Sequence, residues 1–166
     1  AYEKVGFPAI LKTIRMGYDG KGQARVGEPR DISEAWAQIG RLPSIAEAMI
    51  QFDAEFSVIL TRATNGDIRF WDSPRNRHEG GILARSTLPA GPLIEDQQAE
   101  ARKLAAAAAD ELEYVGVMTM EFFATANGPL FNEMAPRVHN SGHWTIEGAA
   151  TSQFENHIRA VCDRFA

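Results

Sequence analysis

An Asn127-Gly128 pair stands between two apolar runs, Val117 to Ala124 and Leu130 to Ala135. Asn-Gly is the residue pair that a tight two-residue hairpin turn demands, so this stretch predicts two adjacent antiparallel strands. If the turn is tight, residues whose numbers sum to about 255 lie opposite one another, which sets Glu121 against Met134 or Glu133. Each run carries a carboxylate among apolar neighbours: Glu121 between Met120 and Phe122, Glu133 before Met134, Ala135 and Pro136. Spacing alone also allows solvated carboxylates on an edge strand. The flanking residues argue against a solvated face on both sides, and two carboxylates on neighbouring strands suit Mg²⁺, which is held by one or two carboxylates together with phosphates. Asn132 offers an amide oxygen beside them.

The rest of the chain reads as an α+β protein. Pro8 to Thr13 predicts a short strand ending near Lys12, followed by a loop with glycines at 17, 20 and 22 that also holds Lys21. Such a loop brings backbone N–H groups close to a ligand, as phosphate sites require, although neither the Walker pattern nor the dinucleotide fingerprint is present. Ala24 to Val26 predicts a second strand. Asp31 to Gly40 predicts a helix with the stripe Ile32, Ala35, Trp36 and Ile39. Strands follow over Ser44 to Ile50, Glu55 to Arg62 and Asp67 to Asp72, the last two joined at Asn65-Gly66. Residues 73 to 93 read as a long aperiodic connection, Leu93 to Leu112 as an alanine-rich helix. Thr145 to Phe165 reads as a closing helix with the stripe Ile146, Ala149, Ala150, Phe154, Ile158, Val161 and Phe165. Two α+β lobes are expected, residues 1–54 and 55–166.

Composition narrows the partners. A net charge of −5 with no basic run disfavours nucleic acid and anionic membranes, and no apolar stretch is long enough to span a bilayer. The single cysteine, Cys162, precludes an internal disulfide and fits a reducing, cytoplasmic setting; it is expected to pack within the last helix. The abrupt start at Ala1 suggests a piece of a longer chain.

After the second carboxylate comes Arg137-Val138-His139-Asn140-Ser141-Gly142-His143. Two histidines four apart would share a helix face as a zinc pair, but Asn140-Ser141-Gly142 disfavours that helix. A polar loop binding an anion through Arg137, His139, Asn140, Ser141 and backbone amides is the preferred reading. Asn76 and His78 are further candidates for that pocket, whereas Arg75 and Arg77 read as surface charges. Glu47 and Glu55 are either strand-surface charges or acceptors for a nucleotide's amino and hydroxyl groups.

Taken together these residues resemble the ATP-grasp superfamily, and within it the 5-(carboxyamino)imidazole ribonucleotide synthase family. The resemblance is carried by Pro8 to Lys12 with Gly17-Tyr18-Asp19-Gly20-Lys21-Gly22-Gln23; by Phe52-Asp53 with Glu55 to Val58; by Asn76 and His78 with Gly81 to Leu83; and by Tyr114 to Glu121 with Asn132 to Thr145. It implies an ATP-grasp core that couples ATP, bicarbonate and aminoimidazole ribonucleotide in purine biosynthesis, through carboxyphosphate. It assigns Lys12 and the loop from Gly17 to Gln23 (Gly17, Tyr18, Asp19, Gly20, Lys21, Gly22 and Gln23) to the nucleotide phosphates, Glu47 to the adenine hinge and Glu55 to the ribose. Glu121 and Glu133 would hold Mg²⁺, with Asn132 beside them. Arg137, His139 and His143 are the expected catalytic contacts, and Asn76, His78, Arg137, His139, Asn140 and Ser141 the substrate contacts. A homodimer is a further candidate assembly. Ala48 and Ala84 depart from the polar residue and the arginine common in relatives. The resemblance also implies flanking N-terminal α/β and C-terminal β-rich domains outside this chain, so the chain alone is expected to be feebly active or inactive. Other readings are another ATP-grasp ligase or formyl-transfer relative, and a non-catalytic nucleotide-binding module.

Overall fold

The computed structural model describes residues 2–17 and 21–164, the side chain of Tyr2 excepted. The expected nucleotide contacts Tyr18, Asp19 and Gly20, and the stripe residue Phe165, lie outside the described residues. The chain forms two compact units, Ala1–Gln51 with Glu79–Ile82, and Phe52–His78 with Leu83–Ala166.

The first unit is a three-stranded antiparallel sheet in the order β2-β1-β3, built from β1 (Ala9–Thr13), β2 (Gln23–Val26) and β3 (Ser44–Ala48). Alternation sends Leu11, Ala24 and Val26 to one face. There they bury against Ala35 of α2 (Ile32–Gln38) and Ile39 at its C-terminal cap, the side of the predicted helix that proved apolar. Trp36 from the same stripe stays 44% exposed, its indole N–H donating to the Leu42 carbonyl. Asp31 does not cap this helix. Its carboxylate instead accepts from the Gly27 and Glu28 N–H groups, and a 3₁₀ turn over Pro29–Asp31 leads into the helix. A four-residue helix, α1 (Tyr2–Val5), precedes the sheet.

The second unit is a six-stranded sheet, β7-β6-β4-β8-β9 with β5 beside β4. Its strands are β4 (Ala54–Arg62), β5 (Ile68–Phe70), β6 (Arg75–Glu79), β7 (Ile82–Thr87), β8 (Gly116–Thr125) and β9 (Gly128–Ala135). Alternate residues of β4 (Phe56, Val58, Leu60) and β8 (Met118, Met120, Phe122) form one face, sealed by Ile94, Ala101, Ala105 and Ala109 of α3 (Pro92–Glu111). Alanines every fourth residue let the helix lie close to the sheet, and Phe56 and Phe122 stack with centroids 5.5 Å apart beneath it.

Two expectations are corrected here. Residues 73 to 93 are not an aperiodic connection, because Arg75–Glu79 and Ile82–Thr87 form a hairpin whose first strand pairs with β4. The closing helix is two helices, α4 (Thr145–Gly148) and α5 (Gln153–Val161), divided where Ala149 turns extended and Ser152 caps the next turn by accepting from the Glu155 N–H. The expected stripe faces outward, with Ile146, Phe154, Ile158 and Val161 all exposed, and Ala160 and Gln153 are buried. Cys162 is exposed at the helix end rather than packed.

Candidate functional site

The face of the larger sheet turned away from α3 carries Ile59 and Val117 at one end and a polar stretch beside them. Directly opposed residues on paired strands share a face. The register pairs Glu55 with Asn76, Ser57 with Glu121, and Glu121 with Glu133, so two adjacent rows place polar residues of β6, β4, β8 and β9 on this face. The hairpin at Asn127-Gly128 therefore selects Glu133, not Met134, as the partner of Glu121. A β-bulge makes this placement possible. Glu121 lies opposite Glu133 while Phe122 lies opposite Phe131, leaving Asn132 as the extra residue. Without it, Phe131 and Glu133, two apart, would share a face. With it, Phe131 sits edge-on to buried Phe122, centroids 6.2 Å apart, and Glu133 joins the polar stretch.

Glu121 is 8% exposed, and its Oε1 is buried with no hydrogen-bond partner. Burial pushes its carboxyl up to about 7; His78 opposes that rise, and Glu133 and Glu55 add to it. His139 presents Nε2 at 3.9 Å from the same oxygen, beyond hydrogen-bond reach. Nδ1 of this imidazole lies 3.3 Å from the Ser141 N–H and 2.9 Å from the Ser141 hydroxyl; with the amide donating, the ring proton falls on Nε2, which faces Glu121. Burial, with Arg137, His78 and His143 nearby, lowers the His139 pKa to about 4, so the ring is neutral at pH 7. His78 stands beside Glu55. Its Nδ1–H donates to Glu55 Oε2 at 2.8 Å, and that bond raises its pKa against the cost of burial.

An orphaned, buried carboxylate oxygen beside a second carboxylate fits a hard divalent cation. Among the described residues no group of three or more His, Cys, Asp or Glu is gathered for a metal. Two carboxylates are fewer than a zinc cage needs and match the number that magnesium takes from a protein when phosphates complete its shell.

The other expected residues fall into distinct settings. Asn76 is buried, donating to Ser57 Oγ at 2.7 Å and accepting from Ser86 Oγ at 2.9 Å. Ser141 is fully buried, its hydroxyl 2.9 Å from His139 Nδ1. Arg137, Asn140 and His143 are not buried; Arg137 donates to the Val138 carbonyl, and His143 stacks on Phe154 at 5.8 Å. Residues 140–142 form a 3₁₀ turn, so no helical histidine pair exists.

In the first unit, Lys12 and Glu47 lie on the sheet face away from α2 and pair at 2.6 Å. Gln23 lies opposite Lys12, and the Thr13 N–H donates to the Gly22 carbonyl at 2.8 Å, closing the base of the glycine loop. Gly22 has φ +75°, and a Cβ there would stand 2.5 Å from Thr13 Oγ1, so this position demands glycine. Gly17 and Lys21 are exposed at the loop's edges. A cavity of about 410 Å³ lined by Leu11, Ile32, Trp36 and Leu42 lies on the opposite, α2 side and includes none of the expected site residues.

Sequence reasoning missed Ser57 and Gln153. Ser57 breaks an apolar run at the alternate position to Glu55, a detectable signal; Gln153 lies inside what read as an apolar helix and gave none.

A twisted sheet with one helix-sealed face and one carboxylate-lined face, together with a small lobe bearing a lysine and a glycine loop, defines a class. The chain belongs to the ATP-grasp family, whose domain model matches residues 1–154. Within it, the similar curated proteins are N5-carboxyaminoimidazole ribonucleotide synthases. That of Pseudomonas aeruginosa is 48% identical over 157 residues, covering 95% of this chain and 43% of the relative. That of Bacillus subtilis is 44% identical over 163 residues, covering 98% and 43%. Among solved structures, the N5-carboxyaminoimidazole ribonucleotide synthetase of Thermus thermophilus is 48% identical with a TM-score of 0.88, covering 98% of this chain and 43% of that one. The synthase of Aspergillus clavatus in complex with ADP and 5-aminoimidazole ribonucleotide is 31% identical with a TM-score of 0.89, covering 98% and 42%. The chain spans less than half the length of the curated relatives it matches.

Proposed function

We propose that this chain is the ATP-grasp portion of an enzyme that carboxylates 5-aminoimidazole ribonucleotide at N5, consuming ATP and bicarbonate and releasing ADP and phosphate. The observation that carries the reading is the opposed pair Glu121 and Glu133, with His139 Nε2 facing the orphaned Glu121 oxygen at 3.9 Å. In the proposed chemistry a bicarbonate oxygen attacks the γ-phosphorus and the bond to the β,γ-bridging oxygen breaks, giving carboxyphosphate and ADP. The amine of the ribonucleotide then attacks the carboxyl carbon, or CO₂ released from it, phosphate departs, and the amine loses a proton.

Such a transfer needs positioning and charge neutralisation rather than a protein nucleophile. Glu121 and Glu133, with Asn132, would hold Mg²⁺, which when bound neutralises charge on the transferring phosphoryl group. Lys12 and the loop residues Gly17, Lys21, Gly22 and Gln23 are assigned to the phosphates, Glu47 to the nucleobase and Glu55 to the ribose hydroxyls. The Lys12–Glu47 ion pair is then an arrangement that nucleotide binding replaces. Arg137, His139, Asn140 and His143 are assigned to bicarbonate and the ribonucleotide, His139 as a neutral hydrogen-bonding group rather than a cation because its pKa is about 4. Ser141 and Asn76 act in this pocket by holding His139 and Ser57, and His78 by holding Glu55. The lone exposed thiol of Cys162 supports a cytoplasmic setting, and the exposed Phe154, Ile158 and Val161 support a subunit contact such as a homodimer.

The test uses the full-length protein with Mg-ATP, ¹³C-bicarbonate and aminoimidazole ribonucleotide. Label is expected in the N5-carboxyamino product, with one ADP released per product. ADP formation that ignores bicarbonate, or failure to bind Mg-ATP in titration calorimetry, would overturn the reading.

A further inference from the structure

Gln153 is fully buried at the first turn of α5, yet its side chain reaches away from its own helix. Its Oε1 accepts from the His139 N–H at 2.9 Å, and its Nε2 donates to the His139 carbonyl at 2.7 Å. The carboxamide thus satisfies both backbone groups of one residue, as a neighbouring strand would. Its own N–H donates to Thr145 Oγ1 at 2.9 Å, and that hydroxyl donates to the Gly142 carbonyl at 2.6 Å. Gly142 lies flat against the amide, for a Cβ there would stand 2.4 Å from Oε1. The loop from His139 to Gly142 is therefore held at its first residue by the Gln153 side chain and at its last by the Thr145 hydroxyl, which the Gln153 backbone N–H braces. A buried amide with both functions satisfied has little freedom to shift, since leaving either unmade costs about 1–3 kcal/mol.

We infer that Gln153 is a positioning residue: by clamping the His139 backbone it holds the imidazole in the Nε2–H form aimed at Glu121. The clamp and the Ser141 N–H act in series. With the backbone of residues 139–142 fixed, the Ser141 N–H sits 3.3 Å from His139 Nδ1 and favours an acceptor there, while the Ser141 hydroxyl at 2.9 Å can rotate to serve that nitrogen in either role. If residue 139 could slide or rotate, the Ser141 bond would be lost and either ring nitrogen could carry the proton. This inference rests on the function proposed above only for its kinetic consequence; the tautomer is a property of the folded chain.

The test compares wild type with Gln153→Met, which keeps approximate volume and removes both bonds, and with Gly142→Ala, which pushes the amide aside from its other face. Long-range ¹⁵N–¹H spectra of the imidazoles, run at pH 7, are expected to show a single Nε2–H tautomer for His139 in wild type and a mixture in both variants. In the full-length protein, kcat should fall about 100-fold, the scale of an ångström-sized misplacement, with the KM for ATP unchanged within about twofold. A single Nε2–H tautomer persisting in a folded variant would overturn the inference. So would failure of both variants to fold, since that assigns Gln153 to stability alone. A tautomer change in a protein whose wild type shows no bicarbonate-dependent turnover would uphold the clamp and reject the proposed reaction.

Discussion

Replacing Glu121 by glutamine should stabilise the metal-free chain above neutral pH while disabling the proposed cation site. In the native state this carboxyl titrates near pH 7 instead of 4.5, chiefly because burial penalises its charge. Between those values the native protein holds a proton that the unfolded chain has released. Stability therefore falls as pH rises across that window, and the loss is complete above it. At about 1.4 kcal/mol per pH unit the loss is about 3 kcal/mol. His139 works the other way. Its pKa is lowered to about 4, so its contribution is complete above the unfolded value of 6.5 and is lost as pH falls towards 4. Across pH 4.5–6.5 the two slopes oppose, and wild-type stability should be nearly flat there. Glu121→Gln removes one slope and leaves the other. Urea denaturation from pH 4 to 8.5 without divalent cations should show the variant matching wild type near pH 4 and exceeding it by up to about 3 kcal/mol at pH 8. Adding Mg²⁺ should stabilise wild type and not the variant. A variant less stable than wild type at pH 8, or a difference that does not change with pH, would refute the electrostatic argument.

Glu133→Gln in the full-length protein should leave the fold intact and remove most Mg-dependent turnover, a loss to be read from ADP release across a magnesium titration. Phe56→Ala, at a fully buried position stacked on Phe122, should cost about 3–5 kcal/mol in chemical denaturation. Gly22→Ala should cost about 1–2 kcal/mol from its left-handed backbone alone, and more from the approach to Thr13 Oγ1. Adding Thr13→Ala should recover the steric part in thermal melts, because that hydroxyl is buried without a partner.

What the sequence disclosed was what local chemistry encodes. Asn127-Gly128 announces its hairpin, and the alanine-rich run announces α3, since each depends on neighbours a few residues away. Strands β6 and β7 were illegible because Arg75-Asn76-Arg77-His78 exposes charges on one side and takes its partner, β4, from about twenty residues back. No local pattern reports such a pairing. The closing helix misled for the opposite reason: Ile146, Phe154, Ile158 and Val161 follow a helical period but face outward, and periodicity shows that a face is apolar without showing that anything covers it. In the site, the carboxylates were legible as residues in apolar runs. Their register was open by one step until the bulge decided it, and Gln153 was invisible because its role is set by the path of residues 139–142.

Asn132 has no opposite number on β8, so β9 keeps two reading frames, one on either side of it. Substitution and length change are then very different events for this strand. Leu130 or Met134, each about 40% exposed, can be exchanged with little effect on what faces where. Losing one residue between the Gly128 turn and Glu133 would merge the frames, sending either Phe131 out to the carboxylates or Glu133 into the seam beneath α3. Drift in such a lineage can rewrite letters here more readily than it can change their count, and a relative with a gap at this point should be expected to have abandoned the chemistry.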